Sequence, residues 1–226
     1  MRRAILAGTL SLLAVACAGN DQKSPGLAGT VGGQPFSPAD VRAALADSGT
    51  GTCSLNLFSS TPVDVYISGL ILVFTGWADA CADYASPACV FHADGQTVTL
   101  VVARLALPGS FTSAPPIQAR TYTIAPDAST VNGDGTGAYV AAFADATSFG
   151  ASPTCDPTTS PAVLGGSLQL TTVAQSGVAG HVEVHFDGGG SLSGDFSAQA
   201  CPGVAPDICQ LAETESFCTL PATCVP

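Results

Sequence analysis

Three consecutive segments near the C-terminus alternate apolar and polar residues with a period of two. The segments cover residues 167–172, 178–186 and 191–198, and glycine-containing turns separate them. Successive side chains of a strand point to opposite faces, so this alternation predicts an antiparallel meander with one buried and one solvated face. The pattern does not fit the helical period, and it therefore indicates the fold class directly.

Further strand patterns extend this prediction over residues 30–200. They occur at residues 63–75, 96–107, 120–124 and 138–143, with a glycine-rich loop at 131–137. The segment 96–107 is the clearest long strand, with Val98, Leu100 and Val102 on one face. Short strands bounded by turns predict an all-β domain, either an antiparallel β-sandwich or a barrel-like meander.

The segment 38–46 carries two conflicting signals. Ser37 could cap a helix with Pro38 in its first position and Asp40 three residues on, which favours a short N-terminal helix. The alternative is an edge strand that places Val41, Ala43 and Leu45 on one face.

The N-terminus resembles a bacterial lipoprotein signal. Arg2 and Arg3 precede an apolar stretch that is too short to span a bilayer, and small residues lead to Cys17. The resemblance implies a signal peptide at 1–16, palmitate-type acyl chains on Cys17, and a flexible tether over 17–29. Ala18, in place of the Asp of inner-membrane lipoproteins, implies the outer membrane. The alternative is an ordinary secretory signal cleaved near the same position.

The other eight cysteines form an even set in an exported protein, and we expect disulfides. They are Cys53, Cys81, Cys89, Cys155, Cys201, Cys209, Cys218 and Cys224. Sequence proximity predicts a Cys81–Cys89 pair, and the position of the meander predicts a Cys155–Cys201 pair. The remaining four are expected to tie a cysteine-rich tail, residues 201–226, to the domain or to itself.

The mature chain is strongly acidic. All 17 Asp and Glu residues lie beyond Cys17, while only 4 of the 6 basic residues do, which gives a net charge of 4 − 17 = −13. Such a surface repels phosphate backbones, so we expect no nucleic-acid partner, and membrane contact should come from the anchor at Cys17. The charge suits solubility first, although it would also suit a cationic partner or a divalent cation.

A candidate metal site lies in the segment 181–185, where His181, Glu183 and His185 share one strand face. Imidazole and carboxylate ligands suit zinc or a similar divalent ion. The first and last of these residues are about 13 Å apart along a strand. One ion would therefore use two of the three, with a further ligand such as His92 or an Asp. The simpler interpretation, a solvated polar face with no cofactor, is preferred.

Other chemical signals are weak. Oxygens of the loop 132–135 and of Asp127 could bind calcium, but the spacing does not match an EF-hand loop and favours a plain turn. No nucleophile motif is present at a strand-to-helix junction.

A pair of carboxylates that is assembled in space could also catalyse hydrolysis, and this alternative stays open because it needs no sequence motif. Trp77 and Tyr84 could form an aromatic patch, although a core tryptophan beside a disulfide is preferred.

Three stretches carry a resemblance to a protein group. They are residues 29–36, 117–124 and 166–201, the last ending in the run LSGDFSAQAC. They are similar to uncharacterised, Gly/Thr-rich outer-membrane lipoproteins of myxobacterial type. The resemblance implies fold and location and carries no activity.

The sequence thus predicts a lipid-anchored, disulfide-stapled β protein of the outer membrane. We expect a structural or interaction role without catalytic activity, with an envelope protein or polysaccharide as partner. The alternatives are a divalent-metal-binding envelope protein that uses the face of His181, Glu183 and His185, and an envelope hydrolase.

Overall fold

The computed structural model describes residues 26–55, 62–85, 90–127, 130–201, 209 and 223–226. Fifteen strands and one short helix account for most of these residues, which confirms the all-β prediction. The predicted signal peptide, Cys17 and most of the tether lie outside the described residues. Within the described part of the chain, no helix is long and apolar enough to cross a membrane.

The elements follow one another closely along the chain. The strands are β1 (Ala28–Val31), β2 (Gln34–Phe36), β3 (Asp40–Asp47), β4 (Cys53–Leu55), β5 (Val63–Thr75), β6 (Val90–His92), β7 (Gln96–Ala106), β8 (Thr121–Ile124), β9 (Asn132–Gly133), β10 (Tyr139–Phe149), β11 (Pro157–Thr159), β12 (Val163–Ala174), β13 (Gly177–Phe186), β14 (Ser191–Ala200) and β15 (Thr223–Val225). The helix α1 (Ala80–Ala85) follows β5, and a 3-10 turn (Asp187–Gly189) joins β13 to β14.

One main sheet is curled into a half-barrel. Its strand order is β11-β10-β7-β5-β3-β14-β13-β12-β8, and all neighbours are antiparallel except β14 and β3. At the far end, the amide of Ala125 donates to the carbonyl of Ala142 at 2.8 Å, so the end of β8 meets β10. The predicted meander β12-β13-β14 is present with antiparallel pairing, and the register of β12 against β13 shifts between Val163 and Gly165 and between Leu170 and Thr172. The curl gives the sheet a concave side that can enclose a core.

The concave side of the sheet holds the main hydrophobic core. Val98, Leu100 and Val102 point inward from β7, as the alternation predicts, and pack with side chains of β5, β13 and β14. A second apolar cluster, which includes Ile71, lies on the opposite face of β5 and β7. This second cluster explains the continuous apolar run of β5, because both faces of that strand are buried.

The helix prediction for residues 38–46 is wrong, since residues 40–46 belong to strand β3. Pairing decides the outcome: β3 pairs along its whole length with β5 and also meets β14 at two residues. Val41 and Ala43 are buried on one face, as the strand alternative requires, but β3 is interior to the sheet and is not an edge strand. The tertiary partners outweigh the local capping signals, which are worth only about 1 kcal/mol.

The two predicted disulfide pairs are also wrong. Cys81 bonds Cys201 and not Cys89, while Cys155 bonds Cys224 and not Cys201. The third described bridge joins Cys53 to Cys209. The three bridges span 156, 120 and 69 residues, and each has a Cα–Cα distance of 5.3 Å. Cys89 and Cys218 lie outside the described residues.

Strand pairing explains the Cys81–Cys201 bridge. The end of β14 runs beside the start of β3, and the amide of Cys201 donates to the carbonyl of Ala43. The helix α1, which carries Cys81, is held at the same place because Asp40 accepts a hydrogen bond from the amide of Ala80. The two cysteines are therefore brought together by sheet topology and not by their separation in sequence.

The end of the chain returns to the domain. Strand β15 pairs in parallel with β6, and Cys224 is bonded to Cys155 next to Trp77 and Phe149. Trp77 is buried beside this bridge, which confirms the expectation of a core tryptophan near a disulfide.

Candidate functional site

The solvated face of β13 carries the candidate metal ligands. His181, Glu183 and His185 point outward and are about half exposed, while Val182 and Val184 between them are fully buried. The structure therefore places the three side chains on one face, as predicted. The face itself follows from the period-two pattern of the strand.

Each of these three side chains has a local partner. The Nδ1 of His181 lies 2.8 Å from the Oδ1 of Asp195, which is directly opposite on β14. The Nε2 of His185 lies 3.4 Å from the Oε1 of Glu183. Asp195 was not singled out from the sequence, although the register of the hairpin around Asp187–Gly189 implies that it faces His181.

These residues do not converge on one point. Within the residues that the structure describes, no group of three or more His, Cys, Asp or Glu side chains is arranged to hold a metal ion. His92, the suggested additional ligand, instead has its Nε2 3.2 Å from Asp83 and stacks on Trp77 at 4.8 Å.

The cluster around Asp83 is a second polar group. The carboxylate of Asp83 accepts a hydrogen bond from the indole of Trp77 at 2.8 Å and also lies next to His92. Burial raises the pKa of neighbouring Tyr84 to about 12, against a smaller opposing effect of a hydrogen bond with Thr97. Trp77 and Tyr84 are thus tied into the protein interior and do not form an exposed aromatic patch.

The most unusual polar group is a buried ion pair at one end of the half-barrel. Arg104 lies on the inward face of β7, in line with Val102, and only 2% of its side chain is exposed. Its guanidinium donates to the backbone carbonyl of Pro116 and to the carboxylate of Asp134, which has no exposed surface. These hydrogen bonds attach two loops to the end of the core.

The carboxylate of Asp134 is strongly stabilised in its charged form. Burial by itself would raise the pKa of this group, but hydrogen bonds from the hydroxyl and amide of Thr136 and from Arg104 lower the pKa to about 2. Both oxygens of Asp134 accept hydrogen bonds from protein groups, and the preference for a plain turn over a calcium loop at 132–135 stays a prediction.

Arg120 and Tyr122 complete this polar group. The guanidinium of Arg120 lies 3.7 Å from the same carboxylate of Asp134 and 5.5 Å from the centroid of the Tyr122 ring. The hydroxyl of Tyr122 donates to the carbonyl of Gln118 at 2.8 Å, and burial is the main cause of its raised pKa. We refer to Arg104, Arg120, Tyr122 and Asp134 as the arginine cluster.

Sequence reasoning did not identify the arginine cluster. A signal was present, because Arg104 follows Val98, Leu100 and Val102 at the inward position of the same alternation. A charged residue at a core position is rarely buried unless it is paired, and it therefore indicates a partner elsewhere in the chain.

Comparison with known proteins gives no relative for this chain. No family model, no curated protein and no solved structure matches it.

Proposed function

We propose that this chain is an exported, lipid-anchored protein of the cell envelope, held in the outer membrane through Cys17, with a structural or interaction role. The observation that carries the proposal is the set of three disulfides, since disulfides persist in oxidising compartments outside the cytosol. The lipoprotein-like residues before Cys17 supply the anchor in this proposal, because acyl chains on one cysteine would hold the domain at a membrane.

The interior of the domain is packed with side chains, which favours a role that uses the outer surface and not a ligand held inside the sheet. The concave side is filled by packed side chains such as Leu70, Leu100 and Leu192, all with at most 1% exposed. The outer face of the meander is polar, and its serines and charged residues remain in contact with water. Contacts with an envelope protein or polysaccharide would therefore use the outer surface.

The divalent-metal alternative has one specific observation in its favour. Two ligand atoms on a tetrahedral zinc ion with bonds of about 2.0–2.1 Å lie roughly 3.3 Å apart. The Nε2 of His185 and the Oε1 of Glu183 are 3.4 Å apart, which matches that spacing for two of the four ligands. Titration with zinc and with chelator, comparing the wild type with His185→Ala, tests this alternative through thermal stability.

Membrane fractionation and intact-mass spectrometry test the main proposal. We expect protein isolated from its own membranes to carry acyl chains and to lack eight protons relative to the fully reduced chain. Cys17→Ser should release the protein from the membrane fraction. Cys53→Ser is the matched control, because it removes a described disulfide and leaves the anchor in place. Equal membrane association of wild type and Cys17→Ser would refute the anchor.

A further inference from the structure

The positive charge of this acidic protein is concentrated at one place. Beyond Cys17 the chain has only Lys23, Arg42, Arg104 and Arg120, against 17 acidic residues. Two of the three arginines lie within 4.0 Å of one carboxylate oxygen of Asp134. Two guanidinium groups therefore face a single carboxylate, and the arginine cluster keeps a local charge of about +1.

Asp134 does not use the full binding capacity of Arg104. Its Oδ2 accepts from the Nη2 of Arg104, while its Oδ1 accepts from the amide and hydroxyl of Thr136. A free carboxylate binds a guanidinium with both oxygens, on two adjacent N–H groups. Asp134 thus accepts a hydrogen bond from one nitrogen of the Arg104 guanidinium, whereas a bidentate carboxylate would accept from two.

The unused donor is buried. The Nε of Arg104 has no hydrogen-bond partner in the described part of the chain, and the side chain that carries it is 98% buried. A buried donor without a partner is costly, and such groups in folded proteins are normally satisfied by protein, water or ligand. An acceptor oxygen at this position would remove the cost.

We propose that the arginine cluster binds a small carboxylate anion. One oxygen of the anion accepts from the Nε of Arg104, and the anion's charge offsets the second guanidinium, that of Arg120. The side chain of Arg120 is 35% exposed and lies 3.7 Å from the carboxylate of Asp134, so it is the member of the cluster that an anion in solvent meets first. The ring of Tyr122 holds the guanidinium of Arg120 in place.

A titration with carbon-13-labelled acetate, followed by NMR, tests this site in the disulfide-intact protein, with chloride at equal ionic strength as the reference. We expect saturable acetate binding in the millimolar range and a higher unfolding temperature in acetate than in chloride. Arg120→Gln should weaken acetate binding about tenfold, because it removes one of the two cations. Arg42→Gln is the matched control, since Arg42 donates hydrogen bonds to Asp40 on its own strand β3 and to Gln199 on β14.

Asp134→Asn provides a second measurement on the same site. Removing the resident negative charge should strengthen acetate binding about tenfold. Absence of saturable binding to the wild type would overturn the proposal and assign the Nε of Arg104 to a bound water. Equal loss of binding in Arg120→Gln and Arg42→Gln would also overturn it, because it would indicate nonspecific charge effects.

Discussion

The guanidinium of Arg104 and the carboxylate of Asp134 form an ion pair that is almost completely removed from solvent. Arg104 belongs to a core strand, whereas Asp134 lies in a glycine-rich loop 30 residues further along the chain. The pair therefore fixes the loop at 132–137 against the end of the half-barrel. Its burial makes the consequences of breaking it large and measurable.

Removing one partner of this pair should strongly destabilise the protein. Asp134→Ala leaves the guanidinium of Arg104 buried without a counter-charge, and we expect a loss of about 3–5 kcal/mol in the free energy of unfolding. Urea denaturation measures the change. Asp145→Ala is the control at an exposed position on β10, where a change within about 0.5 kcal/mol is expected. Similar losses in both variants would contradict a special role for the buried pair.

The low pKa of Asp134 predicts acid sensitivity in a defined range. Its folded pKa is about 2, below the ordinary value of 3.8, so the charged form stabilises the fold at neutral pH. The contribution is fully present above about pH 4 and is lost as the pH falls towards 2, by about 2 kcal/mol in total. Urea midpoints measured between pH 5 and 2 should therefore fall, as a direct linkage effect. The difference in stability between wild type and Asp134→Asn should shrink over the same range, and a constant difference would argue against this linkage.

Removal of the long-range bridge between Cys81 and Cys201 should cost stability. The double substitution Cys81→Ser and Cys201→Ser opens a link over 120 residues, and we expect a loss of about 2–5 kcal/mol. Thermal or urea unfolding of the oxidised proteins measures the loss. Proteolytic mapping without reductant should yield a peptide that links Cys81 to Cys201. Recovery of a peptide linking Cys81 to Cys89 in its place would contradict the described connectivity.

Gly180 should not tolerate a side chain. A Cβ added there would lie 2.0 Å from the backbone carbonyl oxygen of Gln169 on β12, which cannot move without disturbing the strand pairing. We expect Gly180→Ala to destabilise the fold by about 1–3 kcal/mol. Gly133→Ala is the control, because nothing lies within 4 Å of its added Cβ. Equal stability of the two variants, measured by thermal unfolding, would rule out this steric conflict.

The positions of strands could be predicted from the sequence wherever apolar and polar residues alternate over several positions. The inward face of β7 and the whole meander β12-β13-β14 follow directly from period-two patterns. The prediction for residues 38–46 was wrong because the helix-capping signals there are local, whereas the strand that forms depends on pairing with β5. Local signals of this kind are small compared with the pairing and burial that a central strand gains.

The candidate sites also differ in whether one segment of the sequence is enough to predict them. The shared face of His181, Glu183 and His185 is a property of one strand, and it was read from one strand. Asp195 required the hairpin register, and the arginine cluster required residues from β7, from β8, from the position before β8 and from the loop at 132–137. No pattern within one segment encodes such a meeting, apart from the presence of an arginine at an inward position.

The sequence by itself determined the all-β class, the strands of the meander and the presence of disulfides, because each depends on local period or on residue type. Only the tertiary structure decided the order of strands, the partners of Cys81 and Cys155, and the burial of Arg104 with Asp134. These features depend on contacts between residues that are distant in sequence, from 30 positions for Arg104 and Asp134 to 157 positions for Arg42 and Gln199. Curling of the sheet brings such residues together. The free energy that stabilises these contacts comes from packing between several segments, which no single segment can provide.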